Sequence, residues 1–229
     1  MIDPLEVKPE VNSSPCVNVS FSLTGTVLPA DHGYLLYSAI SRSCSKLHGA
    51  DWLGIELVSG FPSGRGLIKL PERDATLRLR IPADHYREVL VLAGKRLDIG
   101  GHHIRIGLPV ARPIEPAPSL YARVITIKKF TEPEPFLEAI NRKLDQFGIK
   151  GRAELPRDEQ GRYRRRIVTI HGKAVVGFSV AVHELDDEDS LLLQAGGANV
   201  SGSVKWQNIF SRRAMGCGIF NPIVELQED

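Results

Sequence analysis

A histidine at the end of a predicted helix is the strongest catalytic candidate in this sequence. His48 follows residues 32–47, whose apolar side chains fall at helical spacing. An imidazole titrates near pH 6.5, so it can act as a general base or acid at neutral pH without a metal ion. Counting back along a continuous helix places Ser41 and Tyr37 on the same face, and we predict that Ser41 orients the nucleophile. In the alternative, His48 caps the last carbonyl groups of the helix.

The other histidines are weaker candidates. His32 lies at the helix start, where we expect a surface residue or a support for the sheet, with a second catalytic role left open. His102 and His103 are adjacent, so on a strand they point to opposite faces and do not easily share a metal ion. His171 and His183 have no acidic or cysteine partner at ligand spacing, and the three cysteines form no Cys-x-x-Cys pair. We therefore expect no metal site and no cofactor.

A basic segment indicates the class of ligand. Residues 123–173 contain thirteen Lys or Arg against seven Asp or Glu. Clustered arginines suit the phosphates of an RNA hairpin, since A-form RNA is read mainly by its shape and backbone. Glycines further along the chain would let backbone amides approach a phosphate. The alternative is a solvated basic face. The predicted RNA-binding residues are Arg142, Lys143, Arg162, Arg164, Arg165, Arg166, Arg212, Arg213, Gly216 and Gly218.

The predicted helices and strands that carry these residues follow a repeated order. Hydrophobic residues make up 42% and charged residues 24% of the chain, which excludes a disordered or fibrous protein. In the first half, patterning predicts strand 17–23, helix 32–47, strands 52–58 and 75–81, helix 82–92, and a last strand or hairpin over 96–110. This β-α-β-β-α-β order is typical of a ferredoxin-like domain.

A proline-rich segment, 109–118, predicts a linker with a boundary near residue 116. The second half repeats the order of elements, and a single interleaved domain is the alternative. Its predicted elements are strand 121–130, helix 134–147, strands within 164–182, helix 186–194 and a closing strand within 218–226. The predicted fold class is α+β, with two tandem ferredoxin-like domains over residues 1–115 and 116–229.

Two segments resemble a known family, the CRISPR-associated Cas6-type endoribonucleases of the RAMP class. The first is the predicted helix ending at Lys46, Leu47 and His48, because this family carries a catalytic histidine at or just past the end of its first helix. The second, residues 212–220, resembles the family's C-terminal glycine-rich signature. The family usually has adjacent glycines directly before its paired arginines, whereas residues 198–211 here separate the glycines at 196 and 197 from the arginines. The order of elements resembles the family over about residues 17–224, and most closely its compact type I variant.

The resemblance implies a metal-independent endoribonuclease that cleaves CRISPR repeat hairpins in precursor transcripts. Attack by a 2′-hydroxyl would give cyclic phosphate and 5′-hydroxyl ends. It also implies that the protein keeps its crRNA product and joins other subunits of a type I interference complex. The alternatives are a non-catalytic RNA-binding subunit of the same superfamily and a ferredoxin-like scaffold for a small ligand or protein. The chain has no run of eighteen apolar residues, so we expect a cytoplasmic protein without a membrane segment.

Overall fold

The computed structural model describes residues 14–199 and 206–223. Residues before Ser14, and the predicted closing strand beyond Ile223, lie outside them. The first half contains β1 (Cys16–Thr24), β2 (Val27–Pro29), α1 (Gly33–Ser43), β3 (Gly54–Ile55), β4 (Phe61–Pro62), β5 (Leu67–Lys69), β6 (Thr76–Pro82), α2 (Tyr86–Leu90), β7 (Arg96–Ile99) and β8 (His102–Pro113). The second half contains β9 (Leu120–Ile125), α3 (Pro133–Gln146), β10 (Arg152–Glu154), β11 (Arg165–Ile170), β12 (Lys173–His183), α4 (Asp187–Ala195), β13 (Gly197–Asn199), β14 (Trp206–Asn208) and β15 (Phe220–Pro222).

The first domain is built on a five-stranded antiparallel sheet in the order β3-β6-β1-β8-β7. Its central strand alternates as the sequence predicts, because Val19 and Phe21 are fully buried while Ser20 is half-buried. Helix α1 packs on the buried face through Leu36 and Ile40. The unit β1-α1-β3-β6-α2-β8 has its first strand, β1, at the centre of the sheet, between β6 and β8. The first half therefore has the ferredoxin-like topology.

The second domain has the same topology around a separate hydrophobic cluster. Its sheet runs β10-β12-β9-β15, so the central strand is again the first strand of the unit. Helix α3 covers one face with the fully buried Phe136 and Ile140. Strand β12 continues past β10 and pairs with β11, which gives this domain a hairpin that extends its sheet edge. The prediction of an α+β fold with two tandem ferredoxin-like domains is confirmed.

Several element bounds differ from the predictions. Helix α1 ends at Ser43 instead of residue 47: Cys44 is extended, with φ −146° and ψ 101°, and a single 3-10 turn follows over Ser45–Leu47. Serines recur through the last turns of this helix, and their hydroxyls compete with the backbone for hydrogen bonds. Helix α2 is likewise shorter, because a 3-10 turn occupies its predicted first residues. A small three-stranded sheet, β2-β5-β4, was not among the predicted elements and lies beside the first domain.

A buried arginine joins the two sheets. Arg80 on β6 is 3% exposed, and its guanidinium donates to the carbonyl oxygens of Gln194 and Phe220 and to the side chains of Asn18 and Asn221. Burial lowers its pKa to about 10. A buried cation is tolerated where its donors are satisfied, so these bonds offset the cost of removing the charge from water. Arg80 thereby fixes β6 of the first domain against α4 and β15 of the second.

Candidate active site and nucleic-acid interface

His48 lies in the connection after α1, where its side chain is exposed. The chain leaves the 3-10 turn Ser45–Leu47 and bends back at Gly49, which has a φ of +72°. The Gly49 amide donates to the Tyr37 hydroxyl at 3.1 Å, and the rings of Tyr37 and His48 stack with centroids 6.1 Å apart. An imidazole and a phenolic hydroxyl therefore lie together at the surface, and both are groups that can take part in acid–base chemistry on a ribose hydroxyl.

The structure does not favour Ser41 as the partner of His48. Its Oγ is buried and has no hydrogen-bond partner among the residues that the structure describes, so it is not available to a substrate hydroxyl. The helical count that placed Ser41 beside His48 assumed a continuous helix to residue 47, and α1 ends at Ser43. The hydroxyl on that face is the one on Tyr37, which the same count had included. His48 also lies beyond the last turn of α1, where the helix dipole acts only weakly.

His32 supports the fold. It is fully buried, its Nδ1 lies 2.8 Å from the Pro29 carbonyl oxygen, and the Val58 amide lies 3.0 Å from its Nε2. Because the carbonyl can only accept and the amide can only donate, the proton must be on Nδ1 and the ring is neutral. Burial lowers the pKa of His32 further. Both nitrogens are occupied, so His32 takes the supporting role that the sequence left open and not a place on the surface.

The glycines of residues 212–218, the glycine-rich loop, are used for packing. Gly216 and Gly218 are buried and have φ values of +81° and +64°. A side chain at Gly216 would overlap Leu57, and a Cβ at Gly218 would lie 2.8 Å from Phe210. Their amides donate to the carbonyl oxygens of Arg213 and Val124, at 3.1 and 2.8 Å. The expectation that these amides bind a phosphate is therefore corrected, since both already have partners within the protein.

The two arginines of this loop have different surroundings. Arg212, with a φ of +64°, is half-buried and donates to the Thr126 hydroxyl at 2.8 Å. Arg213 is 3% exposed, and none of its three guanidinium nitrogens has a hydrogen-bond partner within residues 14–199 and 206–223. Burial lowers its pKa to about 10. A ligand cannot reach the Arg213 side chain in the structure, so of the two arginines only Arg212 is accessible.

The inserted residues between the glycines and the arginines form a hairpin base. Strands β13 and β14 pair, and the Ile209 amide donates to the Gly196 carbonyl oxygen at 3.0 Å. This pairing places Gly196 next to Arg213, whose guanidinium occupies the place that a Cβ on Gly196 would take. The glycine and the arginine are therefore neighbours in the structure although the insertion separates them in the sequence. The middle of the insertion lies outside the described residues.

The arginines of the second domain lie on the exposed edge formed by β11 and the loop before it. Arg164, Arg165 and Arg166 are exposed, and none of them forms an ion pair in residues 14–199 or 206–223. Arg162 differs, because it pairs with Asp158 at 2.8 Å. Together these residues line a surface hollow of about 500 Å³. Asp158 and Glu159 also line the hollow, so its four arginines leave an excess of positive charge that suits a phosphate backbone.

The sequence analysis missed Arg123, which the fold brings close to Arg166. Arg123 on β9 is exposed, and its pKa is lowered by partial burial and by the positive charge of Arg166. Strand β12 lies between them, and its residue opposite Arg166 is Gly177, which has no side chain. The available signal was the alternation along β9, where Ala122 and Val124 are buried and Arg123 is not. Sequence alone could not pair it with β11.

Arg142 and Lys143 are not part of this group. They lie on α3, which covers the sheet face that buries Ala122, whereas the alternation of β9 directs Arg123 to the other face. Arg142 also stands 5.7 Å from the centroid of the Phe130 ring and 3.8 Å from the Glu138 carboxylate. The structure thus separates the basic residues of the second domain into two surfaces. One is the arginine edge, formed by Arg123, Arg164, Arg165 and Arg166, and the other is the surface of α3 that carries Arg142 and Lys143.

No group of three or more His, Cys, Asp or Glu side chains that could hold a metal ion occurs within the described residues. No helix in that part of the chain is long and apolar enough to cross a membrane.

Comparison with known proteins places the chain in a family. The Cas6 CRISPR family model matches residues 17–225. The chain is 35% identical over 206 residues to the CRISPR-associated endonuclease Cas6 of Myxococcus xanthus (strain DK1622), covering 90% of this chain and 81% of that one. Among solved structures, a CRISPR-associated protein Cas6 matches with a TM-score of 0.62 at 15% identity, covering 91% of this chain and all of the other. A structure described as an RAMP protein binding different RNA substrates matches with a TM-score of 0.57 at 12% identity, covering 92% and 100%. With a family model that spans nearly its whole length, this chain belongs to the Cas6 family of CRISPR-associated proteins.

Proposed function

We propose that this protein is a metal-independent endoribonuclease that cleaves the repeat hairpins of CRISPR precursor transcripts to produce guide RNAs. The observation that carries the proposal is the exposed His48 ring stacked with Tyr37 at the end of α1. The 35% identical relative, which is an endonuclease by name, supports the same activity.

The reaction follows from what these two groups can do. The 2′-hydroxyl attacks the adjacent phosphorus, the bond to the 5′-oxygen breaks, and the products carry a cyclic phosphate and a 5′-hydroxyl. His48 transfers one of the two protons, either from the 2′-hydroxyl as a base or to the departing 5′-oxygen as an acid, and water exchanges the other. The Tyr37 hydroxyl, held by the Gly49 amide, is placed to hydrogen-bond the reacting group. This route uses proton transfer and no Lewis acid.

Binding is assigned to the arginine edge. Arg123, Arg164, Arg165 and Arg166 form no ion pair with a described carboxylate. Arg212 directly precedes the 3-10 turn Arg213–Met215, which contacts α1 and β3 of the first domain. Contacts of this type fix a stem by its backbone. We further propose that the protein keeps its crRNA and joins other subunits of a type I interference complex in the cytoplasm.

The test is cleavage of a labelled repeat RNA in a metal chelator by the wild-type protein and by His48→Ala. We expect the wild type to give two defined fragments, with a cyclic phosphate on the 5′ fragment, and the variant to give almost none. RNA binding without cleavage by the wild type would instead identify a non-catalytic RNA-binding subunit. Cleavage that stops in chelator would contradict metal independence while leaving the nuclease assignment in place.

A further inference from the structure

The tip of the β11–β12 hairpin contacts the other domain. The His171 Nδ1 and the Tyr34 hydroxyl lie 2.9 Å apart, and the two ring centroids are separated by 4.5 Å. In the second residue pair from the turn, the Thr169 amide donates to the Asp31 carboxylate at 2.6 Å. Asp31 and Tyr34 flank the start of α1, so the first domain holds the tip of a hairpin that belongs to the second.

The residue at the tip is not one that the turn itself favours. Ile170 pairs with Lys173, and the two residues between them, His171 and Gly172, have φ values of +49° and +72°, the signature of a type I′ turn. Such turns favour Asn, Asp or Gly at the first position. A histidine tolerates this conformation but does not stabilise it. Asn, Asp or Gly in place of His171 would suit the turn better but would lose the contact with Tyr34.

The hairpin carries part of the arginine edge towards this contact. Arg166 lies near the hairpin's base, where it comes close to Arg123 of β9. Two neighbouring arginines without a carboxylate repel each other, and a phosphate between them would relieve that repulsion. Pairing of β12 with β9 fixes the hairpin only at its base, so without the contact at its tip the hairpin could pivot relative to the first domain.

Helix α1 connects the held tip to the candidate catalytic histidine. Tyr34 lies in its first turn, and His48 follows its last turn. The helix has 11 residues, so it is a rigid spacer about 16 Å long at 1.5 Å per residue. We propose that Tyr34 and His171 are positioning residues, which by holding the hairpin tip on α1 fix the arginine edge relative to His48 and determine which phosphodiester is cleaved. This inference rests on the proposed function.

The experiment compares His171→Asn, Tyr34→Phe and the control Tyr86→Phe. His171→Asn creates the favoured Asn-Gly turn, so it should keep the hairpin intact while it removes the ring that meets Tyr34. Tyr34→Phe removes only the hydroxyl. Tyr86→Phe removes a hydroxyl on α2, in the same domain, that forms no hydrogen bond with the described residues. Single-turnover cleavage of the repeat RNA is measured at saturating protein, and both product ends are mapped at single-nucleotide resolution.

We expect His171→Asn and Tyr34→Phe to cleave about tenfold more slowly or worse at saturation, since a small misplacement of reacting groups is costly. We also expect additional cuts at neighbouring phosphodiesters, an unchanged melting temperature and RNA affinity within a few-fold. Wild-type rates and a single product end in both variants would overturn the positioning role, as would an equal loss in Tyr86→Phe. If the wild type itself leaves the RNA intact, the proposed function fails first and the positioning role fails with it.

Discussion

The two domains share one topology and place their candidate functional groups in different kinds of segment. In the first domain, His48 lies in an irregular connection after a helix, stacked on a ring of that helix. In the second, the arginines line an edge strand and the loop before it, on a hairpin that extends the sheet. The shared sheets and helices therefore act as a frame, and function depends on segments outside the repeated unit. If this is right, the first domain performs the reaction and the second supplies most of the binding.

The largest expected effect is on the rate when the histidine is removed. His48→Ala should lower the single-turnover rate by about 10²–10⁴ while hairpin affinity stays within a few-fold, because a general acid or base acts in the transition state. The matched control is His103→Ala, an exposed histidine of the same domain on β8. Rates are measured with labelled repeat RNA at saturating protein. A loss of affinity as large as the loss of rate would assign His48 a structural role. It would also contradict the view that the first domain performs the reaction while the second supplies most of the binding.

The next effect concerns stability and asks whether the domains form one unit. Arg80→Met leaves buried carbonyl and side-chain oxygens on both domains without a donor, so it should cost about 3–5 kcal/mol of unfolding free energy. Arg213→Met removes a buried cation that has no hydrogen bond to the described residues, so it should cost clearly less. Urea denaturation followed by circular dichroism measures both variants. Equal costs would show that the bonds of Arg80 do not stabilise the domain junction.

The third effect is on binding by the arginine edge. Each phosphate contact that is lost should flatten the plot of log affinity against log salt by about 0.7–0.9. Binding is measured in the His48→Ala protein, so that no RNA is cleaved. Three variants are compared in that background: the double variant Arg164→Ala with Arg166→Ala, the single variant Arg123→Ala and the single variant Arg165→Ala. Arg105→Ala, an exposed arginine on β8, is the control. Should every slope remain that of the parent protein, the edge is a solvated surface and the RNA lies elsewhere, for instance along Arg142 and Lys143.

The smallest expected effect separates the two hydroxyls of α1. Tyr37→Phe keeps the stacked ring and removes the acceptor of the Gly49 amide, so it should slow cleavage about tenfold. Ser41→Ala should change the rate less than about twofold, since a buried hydroxyl without a partner in the described chain stabilises nothing that its loss would disturb. Single-turnover rates decide between them. The reverse order would restore Ser41 to the site and remove Tyr37.

Local sequence patterns were sufficient to predict the order of the helices and strands. Alternation along β1 and β6, helical spacing from residue 33, and glycines at the turns each depend on neighbours within a few residues, so the order of elements could be predicted without knowledge of their contacts. The same holds for the exposed position of His48, which follows from its place beyond a helix. The end of α1 was less predictable, because serines compete with the backbone and small differences in free energy decide where the helix stops.

Patterns in the sequence are enough to predict the fold class, the position of His48 after a helix and the positive charge of the second half. Contacts between distant segments could not be predicted in this way: Arg213 and His32 are buried, the amides of the glycine-rich loop have partners, and Arg123 lies within electrostatic range of Arg166. The hairpin tip also lies against Tyr34. The physical reason is that periodicity records which face of an element is apolar, whereas the partner on that face comes from a distant part of the chain, through strand register and domain packing that no local pattern encodes.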